Sequence, residues 1–172
     1  MEVAIVGLGK MGGNMARRLI GDGHRVLGFD RSPEVMAELA SHGLVPMDHL
    51  TALPASNEPR VVWLMVPSGE PVDQCISEVR QILGAGDIIV DGGNSHYVDT
   101  LRRAASLASE GIRYMDAGTS GGIWGLEEGY CLMVGGSRDA VQVVEPLLKS
   151  LASEGGYLHV GSAGAGHYAK MV

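Results

Sequence analysis

Alternating strand-like and helix-like segments predict an α/β fold: a doubly wound, mostly parallel sheet with flanking helices. Three observations carry that expectation. Short apolar runs rich in β-branched residues alternate with segments whose apolar residues fall at helical spacing. The run Arg60–Val66 (RVVWLMV) is apolar almost throughout rather than alternating, as in a strand covered on both faces. Glycine is heavily used, with 26 in 172 residues, and it gathers in the turns after the apolar runs. That is about 15% of the chain against a usual share of about 7%, with no collagen-like period.

The elements follow in order. Val3–Val6 reads as a buried strand, and Met11, Met15, Leu19 and Ile20 mark the helix after it. Arg25–Asp30 is a second strand. Ser32 and Pro33 open the next helix as N-cap and first helical residue. Gly43–Met47 is a short third strand, His49–Leu53 a helical turn, and Ala55–Pro59 a polar loop. After the strand Arg60–Val66 come a helix over Gly69–Leu83 and a buried strand over Asp87–Val90. Tyr97–Glu110 is helical and stops at Gly111, and Ile112–Asp116 is a strand. Gly118–Gly129 reads as an ordered glycine loop. Tyr130–Val134 is a strand, Arg138–Leu151 a helix capped by Ser137, and Tyr157–Val160 a last strand before a helical start at Ala163–Val172.

Composition excludes several classes. The net charge is −7, and no Lys/Arg stripe is present, so no nucleic-acid partner is expected. No apolar run is long enough to span a bilayer, and the opening MEVAIVG has no signal-like pattern. Only Cys75 and Cys131 are present, without CxxC spacing, so a cytoplasmic protein with two small buried thiols is expected. The six histidines show no metal-binding pattern, and no metal site is expected.

Gly7-Leu8-Gly9-Lys10-Met11-Gly12 is a GxGxxG. The pattern alone is weak, but here it follows a strand and opens a helix. Asp30 ends the second strand about 18 residues further on, where a dinucleotide-binding βαβ unit carries its acid. The expected domain is therefore Rossmann-like. Gly7 permits the tight turn, Gly9 lets backbone approach a pyrophosphate, and Gly12 lets helix pack on strand. Free amides at the helix start then meet the diphosphate. The Asp30 carboxylate suits a ribose 2′-hydroxyl and repels a 2′-phosphate, which favours NAD. The neighbouring Arg31 leaves NADP admissible, since a guanidinium holds phosphate well; as a solvated surface charge it would do neither.

Two further glycine loops stand out. Asp91-Gly-Gly-Asn-Ser95 follows a strand, where ligands bind in open α/β sheets, and Asn94 offers both donors and an acceptor. Equally, Asn94 or Ser95 could cap the next helix. In Gly118–Gly125, Ser120 with the Gly121 and Gly122 amides could form a nest for a carboxylate, or the stretch could be a bulged corner with Trp124 in the core. Lys170 sits among Ala169 and Met171 near the start of the last helix. If partly desolvated, its pKa falls and it can act as a base.

The segments GLGKMGGNMARRL, VWLMVPSGE, DGGNSHYVDTLRR, DAGTSGGIWGLEEGYCLMVGG and GAGHYAKMV stand in that order. Together they make the chain resemble the N-terminal coenzyme domain of decarboxylating 6-phosphogluconate dehydrogenases, within the wider β-hydroxyacid dehydrogenases. The GYCLMVGG wording is similar to the shorter, often NAD-preferring bacterial branch. The resemblance covers nearly the whole chain. It implies that Gly7, Leu8, Gly9, Lys10, Met11 and Gly12 hold the diphosphate, and that Asp30, Arg31 and Ser32 surround the adenosine ribose. It places Val66, Pro67 and Ser68 beside the nicotinamide and Asn94 against both cofactor and substrate. Ser120, Gly121 and Gly122 would take the substrate carboxylate end.

Lys170 would be the general base that removes the C3 hydroxyl proton as hydride leaves C3. The β-keto acid then loses CO2 while the lysine returns a proton to the carbonyl oxygen. The enediol is protonated at C1 to give ribulose 5-phosphate, in the pentose phosphate pathway and gluconate utilization. The family's general acid is a Glu beyond the lysine, past the position of Val172. The resemblance thus implies a dinucleotide-binding domain over 1–162 and, over 163–172, the start of an interdomain helix. The helical second domain of the family, through which the full-length protein would form a homo-oligomer (dimer or tetramer), is then expected to be absent from these 172 residues. The chain alone is then expected to bind cofactor and to turn over 6-phosphogluconate negligibly. Two alternatives remain open: a β-hydroxyacid dehydrogenase acting on a small acid such as 3-hydroxyisobutyrate without decarboxylation, and a non-catalytic dinucleotide sensor.

Overall fold

The computed structural model describes residues 1–172. Eight strands form one sheet: β1 (Glu2–Val6), β2 (Arg25–Phe29), β3 (Val45–Pro46), β4 (Val61–Leu64), β5 (Ile88–Asp91), β6 (Arg113–Ser120), β7 (Tyr130–Gly135) and β8 (Ala152–Gly161). Seven helices connect them: α1 (Lys10–Gly21), α2 (Pro33–Ser41), α3 (Glu70–Val79), α4 (Tyr97–Ala108), α5 (Gly125–Glu128), α6 (Arg138–Leu151) and α7 (Ala165–Met171). The strand order is β3-β2-β1-β4-β5-β6-β7-β8. All neighbours are parallel except β6 and β7, which run antiparallel. This is the expected Rossmann-like, mostly parallel, doubly wound sheet. Winding reverses between β1 and β4, which opens a crevice at their carboxyl ends.

Strand pleating divides the interior in two. Val3 and Ile5 of β1, with Trp63, Ile88, Val90 and Met115, face α1 and α6, whose Met15, Leu19, Val144, Leu147 and Leu151 close that layer. Ala4 and Val6, with Val62, Leu64, Ile89 and Tyr114, face α3 and α4, which supply Val72, Ile76 and Leu107. Two-sided burial is why β4 and β5 read as continuous apolar runs. Caps fix two helix starts as expected: Ser32 accepts from the Val35 amide and Ser137 from the Ala140 amide, each at 3.3 Å.

Several boundaries differ from expectation, for physical reasons. β3 shrinks to two residues, since Pro46 offers no amide to extend the ladder. α3 ends at Val79, after which turns at Ile82 and Leu83 close on the Val79 carbonyl. β6 continues through Ser120 because β7 lies antiparallel beside it, pairing Gly118 with Met133 and Ser120 with Cys131. The expected glycine loop therefore shortens, and it holds a 3-10 turn at Gly122–Trp124 followed by α5. β8 begins directly after α6, longer than its apolar pattern suggests, because an edge strand tolerates polar residues. Cys131 is exposed rather than buried, because its neighbours Tyr130 and Leu132 take the inward positions on β7; Cys75 is half-buried. Trp124 is 65% exposed and is no core residue.

Candidate functional site

β1 ends in a turn that only glycine allows. Gly7 has φ +88°, and a Cβ there would lie 2.5 Å from the Met65 carbonyl oxygen. A Cβ on Gly12 would meet the Gly7 carbonyl oxygen at 1.9 Å, so α1 and β1 touch through backbone. Gly9 differs: its Cβ position faces open space. It begins α1 without any side-chain cap and with no acidic residue in the first turn. The amides of Gly9, Lys10, Met11 and Gly12 donate to no protein acceptor. Uncapped amides, a positive helix end and open space form a ready anion cradle.

Asp30, at the end of β2, closes this turn. One carboxylate oxygen accepts the Leu8 amide at 2.7 Å, the other the Ser32 amide at 2.9 Å. The Leu8 amide is thereby committed to the protein, and the Leu8 side chain is core. A cavity of about 430 Å³ opens beside Asp30. It is bounded by Gly7, Gly9, Asp30 and Arg31 on one side, and by Val66 and Pro67 after β4 on another. Six of the residues expected around a cofactor therefore share one cavity, while Leu8, Lys10, Met11, Gly12, Ser32, Ser68 and Asn94 lie outside its lining. The far wall comes from α3, through Pro71, Gln74, Cys75 and Glu78, which no motif pointed to. Burial pushes the Cys75 thiol up from its usual value. The free amides at the start of α1 and the Asp30 carboxylate thus lie at one cavity.

A second group of residues lies farther along the same sheet edge. Gly93 sits against the backbone of Val66, where its Cβ would lie 2.9 Å from the Val66 carbonyl oxygen. The next residue, Asn94, is exposed and is not the helix cap; His96 caps α4, accepting from the Val98 amide. Instead, the Asn94 side-chain oxygen accepts a hydrogen bond from the Lys170 amine on α7. Partial burial lowers the Lys170 pKa below the usual lysine value. Ser120, Gly121 and Gly122 are exposed at the end of β6. Gly121 and Gly122 have φ +128° and +53°. Arg18 of α1 holds the loop that follows, donating to the Leu126 carbonyl at 3.1 Å.

Buried polar networks fix these loops. Asp91, fully buried at the end of β5, accepts from Ser95 at 2.6 Å, Tyr114 at 2.9 Å and the Gly93 amide at 3.1 Å. Buried Arg103 donates to Ser95 and to the Gly69 carbonyl, and pairs with Asp73, which it holds below the usual carboxylate range. One arginine thus ties the Asn94 loop to the start of α3. Asp116, also fully buried, accepts the Gly164 and His167 amides at 2.7 Å each. The His167 ring bonds Thr100 through Nδ1 at 2.8 Å, and its Nε2 is buried without a partner. Arg103, Asp116 and His167 escaped sequence reasoning because their partners lie far away in the chain, whereas Asp91 bonds Gly93 and Ser95 within its own loop.

Comparison with known proteins gives a consistent picture. Residues 2–161 match the family model described as the NAD binding domain of 6-phosphogluconate dehydrogenase. An NAD-dependent, decarboxylating 6-phosphogluconate dehydrogenase from Haloferax volcanii is 39% identical over 100% of this chain and 57% of its own length. Among solved structures, 3-hydroxyisobutyrate dehydrogenase from Mycobacterium tuberculosis superposes with a TM-score of 0.89 at 33% identity, over 98% of this chain and 57% of that one. Plasmodium falciparum 6-phosphogluconate dehydrogenase, solved with NADP+ and with its substrate, gives a TM-score of 0.87 at 29% identity, over 99% and 39%. The chain thus spans 57% or less of the length of these relatives. No helix is long and apolar enough to cross a membrane.

Proposed function

Because the chain belongs to the family of NAD-binding domains of 6-phosphogluconate dehydrogenase, we propose that it is the cofactor-binding part of an enzyme that oxidatively decarboxylates 6-phosphogluconate to ribulose 5-phosphate. The observation that carries this reading is the hydrogen bond from Lys170 to Asn94, whose neighbour Gly93 packs against the Val66 backbone at the crevice. When bound, NAD supplies the hydride acceptor. The uncapped amides at the start of α1 would hold its diphosphate, and Asp30 would accept from its adenosine ribose.

The chain's own residues handle the proton. Lys170 is partly desolvated, which favours the neutral amine a base needs. Asn94 accepts one of its N–H bonds and so aims the nitrogen's remaining valences. Lys170 removes the proton from the substrate C3 hydroxyl and later returns it to the C3 oxygen as CO2 leaves. The Ser120 hydroxyl and the Gly121 and Gly122 amides receive the carboxylate end. NAD is the favoured cofactor, because a 2′-phosphate would meet both Asp30 and Glu78 on the cavity wall, against Arg31 alone.

A second reading has one observation in its favour: the likeness to a 3-hydroxyisobutyrate dehydrogenase at a TM-score of 0.89. The same base and carboxylate nest would serve that smaller acid without decarboxylation. Calorimetric titration of NAD and NADP into the chain tests the cofactor half, with tighter NAD binding expected. Tight binding of NADP alone would overturn the reading of Asp30. Release of CO2 from 6-phosphogluconate, by a protein carrying this chain at its relatives' length, separates the two substrates.

A further inference from the structure

The proposed base sits on a helix that is only seven residues long. Seven residues cannot hold a side chain in place by helical propensity alone. Whatever sets the Lys170 amine against Asn94 must come from the surface beneath α7, which β6 and β7 form together: the Gly166 backbone packs against Met133 and Gly135 of β7, and the first turn and the lysine stem lie on β6. Side chains two apart on a strand point the same way, so Asp116, Gly118 and Ser120 share a face. Asp116 grips the first turn of α7 through the Gly164 and His167 amides, both at 2.7 Å. Gly118 leaves room for the lysine stem: a Cβ there would lie 2.8 Å from the Lys170 Cβ and 2.6 Å from the Gly166 carbonyl oxygen. Ser120 ends the same row at the loop assigned to the substrate carboxylate. From α4, Thr100 fastens the helix a second time, through His167.

We propose that Asp116 is a positioning residue for the Lys170 amine: its buried carboxylate caps α7 and so registers the lysine against Asn94 and the Ser120 loop. This rests on the reading of Lys170 as the base. Asp116 touches neither cofactor nor substrate, and it acts only through the helix. One strand face then carries a grip, a gap and a ligand group in alternate positions, so base and carboxylate nest keep a fixed separation.

The chain has three lysines, Lys10, Lys149 and Lys170, so the Cε resonances of 13C-lysine-labelled protein report each titration separately. Two effects of Asp116→Asn have opposite signs. Removing a nearby negative charge would lower the Lys170 pKa, whereas releasing α7 into water would raise it. The proposal expects a rise toward the ordinary lysine value, with NAD affinity unchanged, since the glycine turn is untouched. An unchanged or lowered Lys170 pKa in folded Asp116→Asn overturns it. Should that variant not fold, Asp116→Ser, which is smaller and buries no charge, loses the grip on the Gly164 and His167 amides and must move the pKa the same way. A folded Asp116→Ser with an unmoved Lys170 then overturns the proposal. Failure of the underlying reading looks different: wild-type Lys170 would titrate together with Lys10 and Lys149, or the wild-type chain would not bind NAD.

Discussion

Replacing Asp30 with alanine should damage the fold as well as the cofactor site. In a bare ribose-binding role the carboxylate would be free in the absence of ligand. Here both oxygens are engaged, with the Leu8 amide at 2.7 Å and the Ser32 amide at 2.9 Å. Hydrogen bonds to a charged group contribute about 1.5–3 kcal/mol each, and water recovers part of that at a half-buried site, so the pair is worth about 2–4 kcal/mol. For a chain of this size each kcal/mol moves the melting temperature by about 2–4 °C, which gives a fall of roughly 5–15 °C. NAD loses its ribose partner and meets a turn no longer held in shape, so its Kd should rise by about tenfold or more, at about 1.4 kcal/mol per decade. NADP gains less than simple loss of repulsion would give, because its diphosphate needs the same turn. Asp30→Asn keeps one acceptor oxygen and should fall between wild type and alanine. Thermal unfolding by circular dichroism and calorimetric titration measure the two effects separately. If Asp30→Ala weakens NAD binding but melts with the wild type, the scaffold role is refuted.

Gly9→Ala and Gly12→Ala should part company. The first adds a methyl into open space and should cost about 1 kcal/mol or less, as an N-cap change, yet block the diphosphate and raise the NAD Kd; the second puts a Cβ 1.9 Å from the Gly7 carbonyl oxygen and should fail to fold stably. NAD should protect Cys75 from alkylation, because Cys75 lines the cavity, and leave exposed Cys131 unprotected; peptide mapping by mass spectrometry reads both sites. Burial works against ionised Asp87, but Arg60 and the Arg60 and Gly84 amides prevail and hold its carboxyl below the usual range. A depressed folded pKa means stability that is complete above the unfolded value near 3.9 and is lost as pH falls through the folded one. Urea midpoints should therefore drop below about pH 4, and Asp87→Asn should flatten that slope.

The parts legible in the sequence were those set by local chemistry. The turn at Gly7–Gly12, the cap at Ser32 and the acid at Asp30 each depend on neighbours a few residues away or at one fixed offset. Lys170 drew notice through its apolar neighbours Ala169 and Met171, yet both are exposed; its partial burial comes from the β6 face, where Gly118 meets its stem. What stayed hidden depends on tertiary approach. Glu78 and Cys75 line the cavity beside Asp30 only because α3 follows β4 across the switch point, a placement that strand order decides. Arg103 reads as a surface charge on an amphipathic helix, and only the buried Asp91 and Ser95 beneath it explain its burial. Even the glycines divide this way: Gly12 is required by the Gly7 carbonyl, Gly9 by nothing in the protein.

The reversal of β7 explains most about the second half of the site. The parallel ladder between β5 and β6 ends at the pair Asp91 and Asp116. Beyond it, Ala117–Ser120 would present unpaired amides and carbonyls on both edges, at a cost no buried backbone sustains. The antiparallel β7 supplies partners along one of those edges, pairing Ala117 with Val134 and Ser120 with Cys131. β6 can therefore project past the parallel edge as ordered strand rather than loop. Its projecting face carries Gly118 and Ser120, and α7 packs there. A parallel β7 would need a long crossover to return, and the short connection from Gly121 to Gly129 forbids it. Strand direction is a property of the connection and not of the strand's own residues, so a glycine-rich stretch after Asp116 reads as a loop. In the folded chain it is the rail on which the proposed base is aligned.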